Sequence, residues 1–421
     1  MRQGKDALAF VAIVGFAVST YASLAHLFPA LGALRPALVC ALIALACLAL
    51  GRMAQGRGIS FDAPRGPFLL ALCAWAFCSL SWSRAPEVTR PMAFELCKLA
   101  AIYLTAIHVV SSTARLSRLC LAIVIAALAP AFGTVDHWRG GIDLVDGFRA
   151  SWEGVYEDPN HLAMTLVSIV PLALFFALSR RALWQRAVAA VSAVGSVTAI
   201  VLTHSRGGAL GLAFCAIAWA MLGRRRLRAA VAVIVLFLAV VLFAPSSFWA
   251  RTESLGSFER DVSAMGRVFA WEVTADISRD RPLGGVGLGA FPSAWEDYAP
   301  REARGLALVA HNIFLSVLGE LGLIGLGLLL GFVGSALGGA FGAWRALDKS
   351  GGDAELLGLS RSLVAGGAGF LLCDLFSGYL ISAHFFFFWA LLASCERVQA
   401  RAHAESSRAF VPATRAGEIA R

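Results

Sequence analysis

The run Thr203-His204-Ser205-Arg206-Gly207-Gly208 sits where one apolar stretch ends and the next begins. An arginine at such a boundary is costly unless it reaches interfacial water or meets an anion, so Arg206 reads either as a membrane anchor or as an anion ligand. Gly207 and Gly208 favour the second reading. They let a ligand approach the backbone and leave amide N–H groups beside a guanidinium fork that suits phosphate. His204 and Ser205 do not form a hydrolase pair by sequence adjacency, because neighbours on a helix point to different faces. A second arginine, Arg267, follows Gly266 and precedes Val268-Phe269-Ala270-Trp271-Glu272. It is either a second anion ligand or a solvated side chain paired with Glu272 or Asp276. The pair His311-Asn312 then opens another apolar stretch. Imidazole titrates near neutral pH and is the usual general base, while Asn312 can hold a hydroxyl or amide of a ligand; an interfacial polar pair is the plainer alternative.

Three further features read structurally. Asp158-Pro159-Asn160-His161 has the form of a capped helix start, with Asp158 or Asn160 as the cap. Pro282 to Phe291, with four glycines, lacks the strand and βαβ context of a dinucleotide fingerprint and is expected to be a tight, flexible loop returning the chain to the membrane. Glu320 lies inside an apolar run and therefore needs a partner, most simply a polar group on another helix.

The elements that must position these residues are membrane helices. The chain has 421 residues, of which 58% are hydrophobic and 15% charged, a balance that excludes a soluble enzyme, a secreted disulfide scaffold and a disordered chain. Its nine cysteines lie in or at the ends of apolar segments, without the spacing of a disulfide framework or a metal site. The net charge of +9 is scattered between apolar runs rather than gathered on a basic face, which argues against nucleic acid. Lipid forces each spanning segment to be helical. Twelve spans are expected, near 7–28, 36–51, 67–82, 93–111, 114–134, 161–179, 185–203, 207–222, 229–246, 310–342, 362–380 and 382–396, the first read as an uncleaved span.

With the N-terminus inside, 22 Lys and Arg residues fall on the inner side, against six in the short outer loops. Both termini are then cytoplasmic, and 135–160 and 247–309 lie outside. Six of the eight histidines fall at or beside the outer face under this arrangement. The expected fold is an all-α polytopic membrane protein with N-terminal helices over 1–246, a large outer loop over 247–309, C-terminal helices over 310–396 and a tail over 397–421. Val268, Trp271 and Ala275 have helical spacing, so the loop is expected to contain an amphipathic helix on the membrane surface, with Arg267 near its N-terminus.

The order of the motifs, from Asp158-Pro159-Asn160 through His-Ser-Arg-Gly-Gly, Gly-Arg and Pro-Leu-Gly-Gly-Val-Gly to His-Asn and Glu-Leu-Gly, resembles the O-antigen ligase and polymerase (Wzy_C) superfamily of bacterial envelope glycosyltransferases. The resemblance covers about residues 158 to 325. It implies an inner-membrane enzyme of a Gram-negative bacterium with its active site in the periplasm. The implied donor is undecaprenyl pyrophosphate carrying O-antigen, and the implied acceptor in the ligase branch is a lipid A-core oligosaccharide hydroxyl. No cofactor, nucleotide sugar or metal is implied. Matched motif by motif, Arg206 and Arg267 take the pyrophosphate-binding positions and His311 the catalytic one, with Asn312, His204 and Gly207 as supporting groups. The polymerase and protein-glycosylating branches share these parts, and a lipid-linked glycan transporter would need the arginines without His311 as a base.

Overall fold

The computed structural model describes residues 2–56, 58, 61–223, 231 and 262–409. The span expected near 229–246, the first part of the 247–309 loop, Arg224 to Arg228 and the end of the tail lie outside these residues. The described residues contain no β-strand, only an isolated antiparallel bridge between Val145 and Arg149. Among the described residues long helices form the bundle: α1 (Arg2–Tyr21), α2 (Pro36–Met53), α3 (Arg65–Cys78), α4 (Pro86–Val109), α5 (Thr113–Gly140), α6 (Pro159–Leu178), α7 (Leu183–Leu202), α8 (Arg206–Met221), then, after α9 (Val262–Asp280) and α10 (Phe291–Tyr298), α11 (Ile313–Ser350) and α12 (Ala354–Ser377). A last helix, α13 (Ala383–Ala409), follows. Among the described residues seven of these helices are long and apolar enough to cross a membrane, and α1, α3 and α8 contain shorter apolar helices. The chain is a multi-pass membrane protein by this measure.

Burial follows the lipid logic. In α6, 78% of the apolar window is buried inside the protein, against 6% in α2, so α6 is central and α2 peripheral. The run Phe385 to Trp389 in α13 is buried on every side, as expected of a helix apolar all round. Small residues let α6, α8 and α12 meet closely, the usual device where no hydrophobic effect drives helices together. A Cβ at Gly369 would stand 2.6 Å from Cys215 Cβ, and one at Gly211 would stand 2.3 Å from Cys373 Sγ.

The two ends of the bundle carry different chemistry. At one end Asp62 accepts from Arg65 Nη2 (3.1 Å), Arg397 Nη1 (2.8 Å) and Tyr103 Oη (3.2 Å), while Arg65 Nη1 also reaches Glu396 (2.6 Å). This network fastens α13 to α3 and α4. Removing one member of a buried ionic group costs more than the group contributes, because its partners stay buried without compensation. Every residue in it except Tyr103 is one that the charge count places at or beside the inner face. The opposite end holds Asn160, Ser205, Arg206 and His311.

The structure refines several expectations. The stretch expected as a span at 310–342 begins as a helix only at Ile313, runs for 38 residues to Ser350, and is broken at Gly322 (φ 67°, ψ −168°). The break has a cause: residues 282–289 are inserted into it. Gly287 N–H donates to the Glu320 carbonyl (2.8 Å), Val286 N–H to that of Gly319 (3.0 Å), and Leu323 N–H to that of Pro282 (2.8 Å). The glycine-rich segment is accordingly a packed plug and not a flexible loop, further held by Trp82 Nε1 on the Gly284 carbonyl (3.0 Å) and Thr89 Oγ1 on that of Leu288 (2.7 Å). The Glu320 carboxylate is faced by the backbone N–H groups of Gly289, in the inserted segment, and of Phe291, the first residue of α10. α9 packs on α10 and α11 through Ala270, Val273, Thr274 and Ile277, which leaves Trp271 and Ala275 of the expected membrane-facing stripe outward. The α1 helix stops at Tyr21, with two single turns after it, and the α13 helix runs on beyond the span expected at 382–396, to Ala409.

Gly322 gives the sharpest test of this arrangement. A side chain there meets both a left-handed backbone and the Leu283 carbonyl carbon, 2.2 Å from an added Cβ, whereas Gly334 on the same helix has open space around it. Gly322→Ala should cost at least about 2 kcal/mol and lower the apparent Tm in detergent, while Gly334→Ala should stay within about 0.5 kcal/mol. Equal melting of the two variants would contradict the inserted plug.

Candidate functional site

The site is assembled at helix starts. Ser205 caps α8 by accepting from Gly208 N–H (3.1 Å), which puts Arg206 at the first position of the helix, half-buried. The Gly208 amide expected to be free for phosphate is thereby taken. Both glycines serve packing as well: a Cβ at Gly208 would lie 2.6 Å from Ala163 Cβ, and the Gly207 carbonyl accepts from Cys373 Sγ on α12 (3.4 Å). His204 is buried at 1% exposure in a left-handed conformation (φ 51°), its Nδ1 2.9 Å from the Leu202 carbonyl and its ring edge-on to Phe148. It shapes the turn from within.

Asp158 is the cap of α6, as its sequence indicates, accepting from Asn160 N–H (2.8 Å) and Nδ2 (3.1 Å). Asn160 Oδ1 in turn accepts from Ser205 Oγ (2.9 Å) and from Arg149 Nη2 (2.8 Å), and Arg149 Nε donates to the Thr203 carbonyl (3.1 Å). One network thus locks the starts of α6 and α8 together. Sequence reasoning missed Arg149 and Asn160 as its organisers. Arg149 carries no local sequence signal of this role, because its partners Asn160 and Thr203 lie 11 and 54 residues away along the chain.

His311 stands just outside α11 with a left-handed backbone (φ 48°), half-buried. Asn312 is the helix cap, its Oδ1 accepting from Phe314 N–H (2.9 Å) and Leu315 N–H (3.1 Å). That oxygen is therefore committed to the helix and not left for a ligand. Burial holds the His311 imidazole below its usual pKa, the Arg267 guanidinium pushes the same way, and Asp158 opposes both. These three groups, from α9, the α6 cap and the start of α11, are close enough to feel one another's charge. Arg267 lies in the second turn of α9, and its neighbour Gly266 packs on Leu308, three residues before His311. The structure gathers Arg206, Arg267 and His311 at the same end of the bundle as Asp158, through the links just described.

Two further polar groups border this end. His161 Nδ1 shares a hydrogen bond with Tyr379 Oη (3.0 Å), in the turn between α12 and α13. Asp374, at 1% exposure near the end of α12, keeps Oδ2 buried without a hydrogen-bond partner. An acid inside an apolar run is itself a readable sequence signal, passed over here because the run was taken only as a span.

The arrangement offers two guanidinium groups that can hold a polyanion and an imidazole kept neutral, beside a carboxylate. Comparison with known proteins finds similarity over the same part of the chain. Residues 191–330 match the family model described as O-antigen ligase (Wzy_C), a segment running from the middle of α7 through the first part of α11 and containing Arg206, Arg267 and His311. The chain is also 23% identical over 342 residues to the exopolysaccharide production protein ExoQ of Rhizobium meliloti (strain 1021), covering 77% of this chain and 76% of that protein. The similarity to the O-antigen ligase (Wzy_C) family thus falls on the segment whose helix starts hold these three residues.

Proposed function

We propose that this protein is an O-antigen ligase, transferring a glycan from undecaprenyl pyrophosphate to a sugar hydroxyl of lipid A-core. The observation that carries the reading is the grouping of a neutral, half-buried His311 with the Arg267 charge at the end of the bundle where Arg206 opens α8. The site faces the periplasm and both termini the cytoplasm in this proposal, supported by the basic residues that meet at the opposite end, Arg65 and Arg397 among them.

Pyrophosphate is already a good leaving group, so the site has to neutralise its growing charge, take one proton and align two lipids. His311 accepts the proton of the acceptor hydroxyl as that oxygen bonds to the anomeric carbon. The bond from the anomeric carbon to the phosphate oxygen breaks, and its electron pair leaves with the lipid pyrophosphate, whose charge the two arginines stabilise. Direct displacement of this kind inverts the anomeric centre. A second reading, polymerisation of repeat units by the same chemistry with a glycan as acceptor, is favoured by the similarity to a protein named for exopolysaccharide production.

A planar fork serves phosphate better than a point charge. Arg206→Lys and Arg267→Lys should each lose most transfer activity while the protein still inserts and accumulates; near wild-type rates in both would return these residues to anchoring. His311→Ala should lower kcat by about 10²-fold to 10⁴-fold with donor binding kept, since the arginines hold the donor. Full transfer by purified His311→Ala protein would remove it as the base.

The charge environment of His311 predicts a pH effect. A base must be deprotonated, so activity should rise with pH through a pKa below the usual imidazole value and be level at neutrality. Asp158 favours the protonated form, so Asp158→Asn, which keeps a capping side chain, should move the acid limb of the kcat/KM profile to lower pH. Movement to higher pH would contradict this placement of the carboxylate.

A further inference from the structure

A cavity of about 270 Å³ opens beside the candidate site, lined by His137 at the end of α5 and by the 141–158 connection. Ser151 and Trp152 are its buried part. Asp143, Glu153 and Glu157 line it with exposed side chains. None of these carboxylates has an ion-pair partner among the described residues. His137 Nδ1 is shut from solvent without a hydrogen-bond partner. Asp143 holds a left-handed backbone (φ 48°), fixed by Ser151 Oγ donating to its carbonyl (3.0 Å).

The same connection is tied to the candidate site at its other face. Arg149 and Asn160 fasten it to Thr203 and Ser205, Ala150 N–H donates to the Leu202 carbonyl (3.0 Å), and Glu157 directly precedes Asp158. Charge therefore changes sign across one short segment, from the arginines to three carboxylates. A pyrophosphate is repelled by the cavity and drawn to the arginines. A hydroxyl-rich, uncharged or amino-bearing ring is suited to the cavity, because carboxylates accept from vicinal hydroxyls and Trp152 supplies an apolar wall. The volume lies just below that of drug-sized pockets and fits one sugar rather than a chain. Among the described residues no group of three or more His, Cys, Asp or Glu is placed to hold a metal ion, which sets the cavity apart from a cation site.

We infer that this cavity is a sugar subsite, binding one neutral or amino sugar of the glycan while the arginines hold its pyrophosphate. The inference rests on the proposed glycan transfer for its choice of ligand. The test is saturation-transfer NMR on the full chain in nanodiscs, with the methyl glycosides of glucose, galactose, glucosamine and N-acetylglucosamine as probes. At least one should bind saturably, and the double variant Glu153→Gln, Glu157→Gln should weaken it by about tenfold or more, as expected for losing hydrogen bonds to charged acceptors. Glu272→Gln, exposed on α9, should leave binding unchanged. The carboxylates are at the surface, so the double variant should melt as the wild type does. Absence of binding by every probe, binding unaffected by the double variant, or loss of calcium binding in place of sugar binding would each overturn the subsite. Glycan transfer by the wild type is measured in parallel: transfer without probe binding defeats the subsite alone, whereas variant-sensitive binding without transfer supports the subsite and defeats the ligase reading.

Discussion

The candidate site depends on a helix that is interrupted inside a membrane protein. A break in a membrane helix frees backbone groups that lipid cannot satisfy, so it persists only where other parts of the chain take up those groups. At Gly322 the segment 282–289 does so, bonding to Gly319, Glu320 and Leu323, while the amides of Gly289 and of Phe291 in α10 face the Glu320 carboxylate. The arm of α11 before the break is thereby set by the plug as well as by its own helix. At its start stand Asn312, which caps it, and His311, which the cap holds outside the helix in a left-handed conformation. The glycine-rich segment and the histidine, far apart in sequence, are parts of one mechanical unit.

The second organising interaction is the lock between the starts of α6 and α8. Asp158, Asn160, Ser205 and Arg149 satisfy one another and so fix where Arg206 emerges. Small residues allow this: Gly208 against Ala163, and Gly207 against α12. Polar groups that look catalytic in a sequence also build the frame here. Ser205, Asn312 and His204 each have a structural task that accounts for their type.

Most of the fold was legible because lipid makes hydropathy decisive. Each described helix of the bundle corresponds to an apolar run, and the residues assigned to the inner side by charge, such as Arg65 and Arg397, do meet at one end. The order of the site motifs was legible too, and Asp158 was readable as a cap from its place before Pro159. What was not legible depends on tertiary contacts. The stripe of α9 could be drawn through Val268, Trp271 and Ala275 or through Ala270, Val273 and Ile277, and only its packing partners decide between them. Gly322 stood out only as part of the Glu-Leu-Gly motif, since nothing local reports that another segment will enter there. The role of Arg149 likewise exists only through Asn160 and Thr203, which are distant until the chain folds.

The central claim is that this end of the bundle makes a glycosidic bond rather than carrying a lipid across the membrane. It is tested most directly by incubating the purified full-length protein with undecaprenyl pyrophosphate-linked glycan and lipid A-core in the presence of excess chelator. The account predicts a glycosylated lipid A-core of inverted anomeric configuration, with release of undecaprenyl pyrophosphate. Movement of the intact donor across vesicle membranes with no glycosidic product would contradict it.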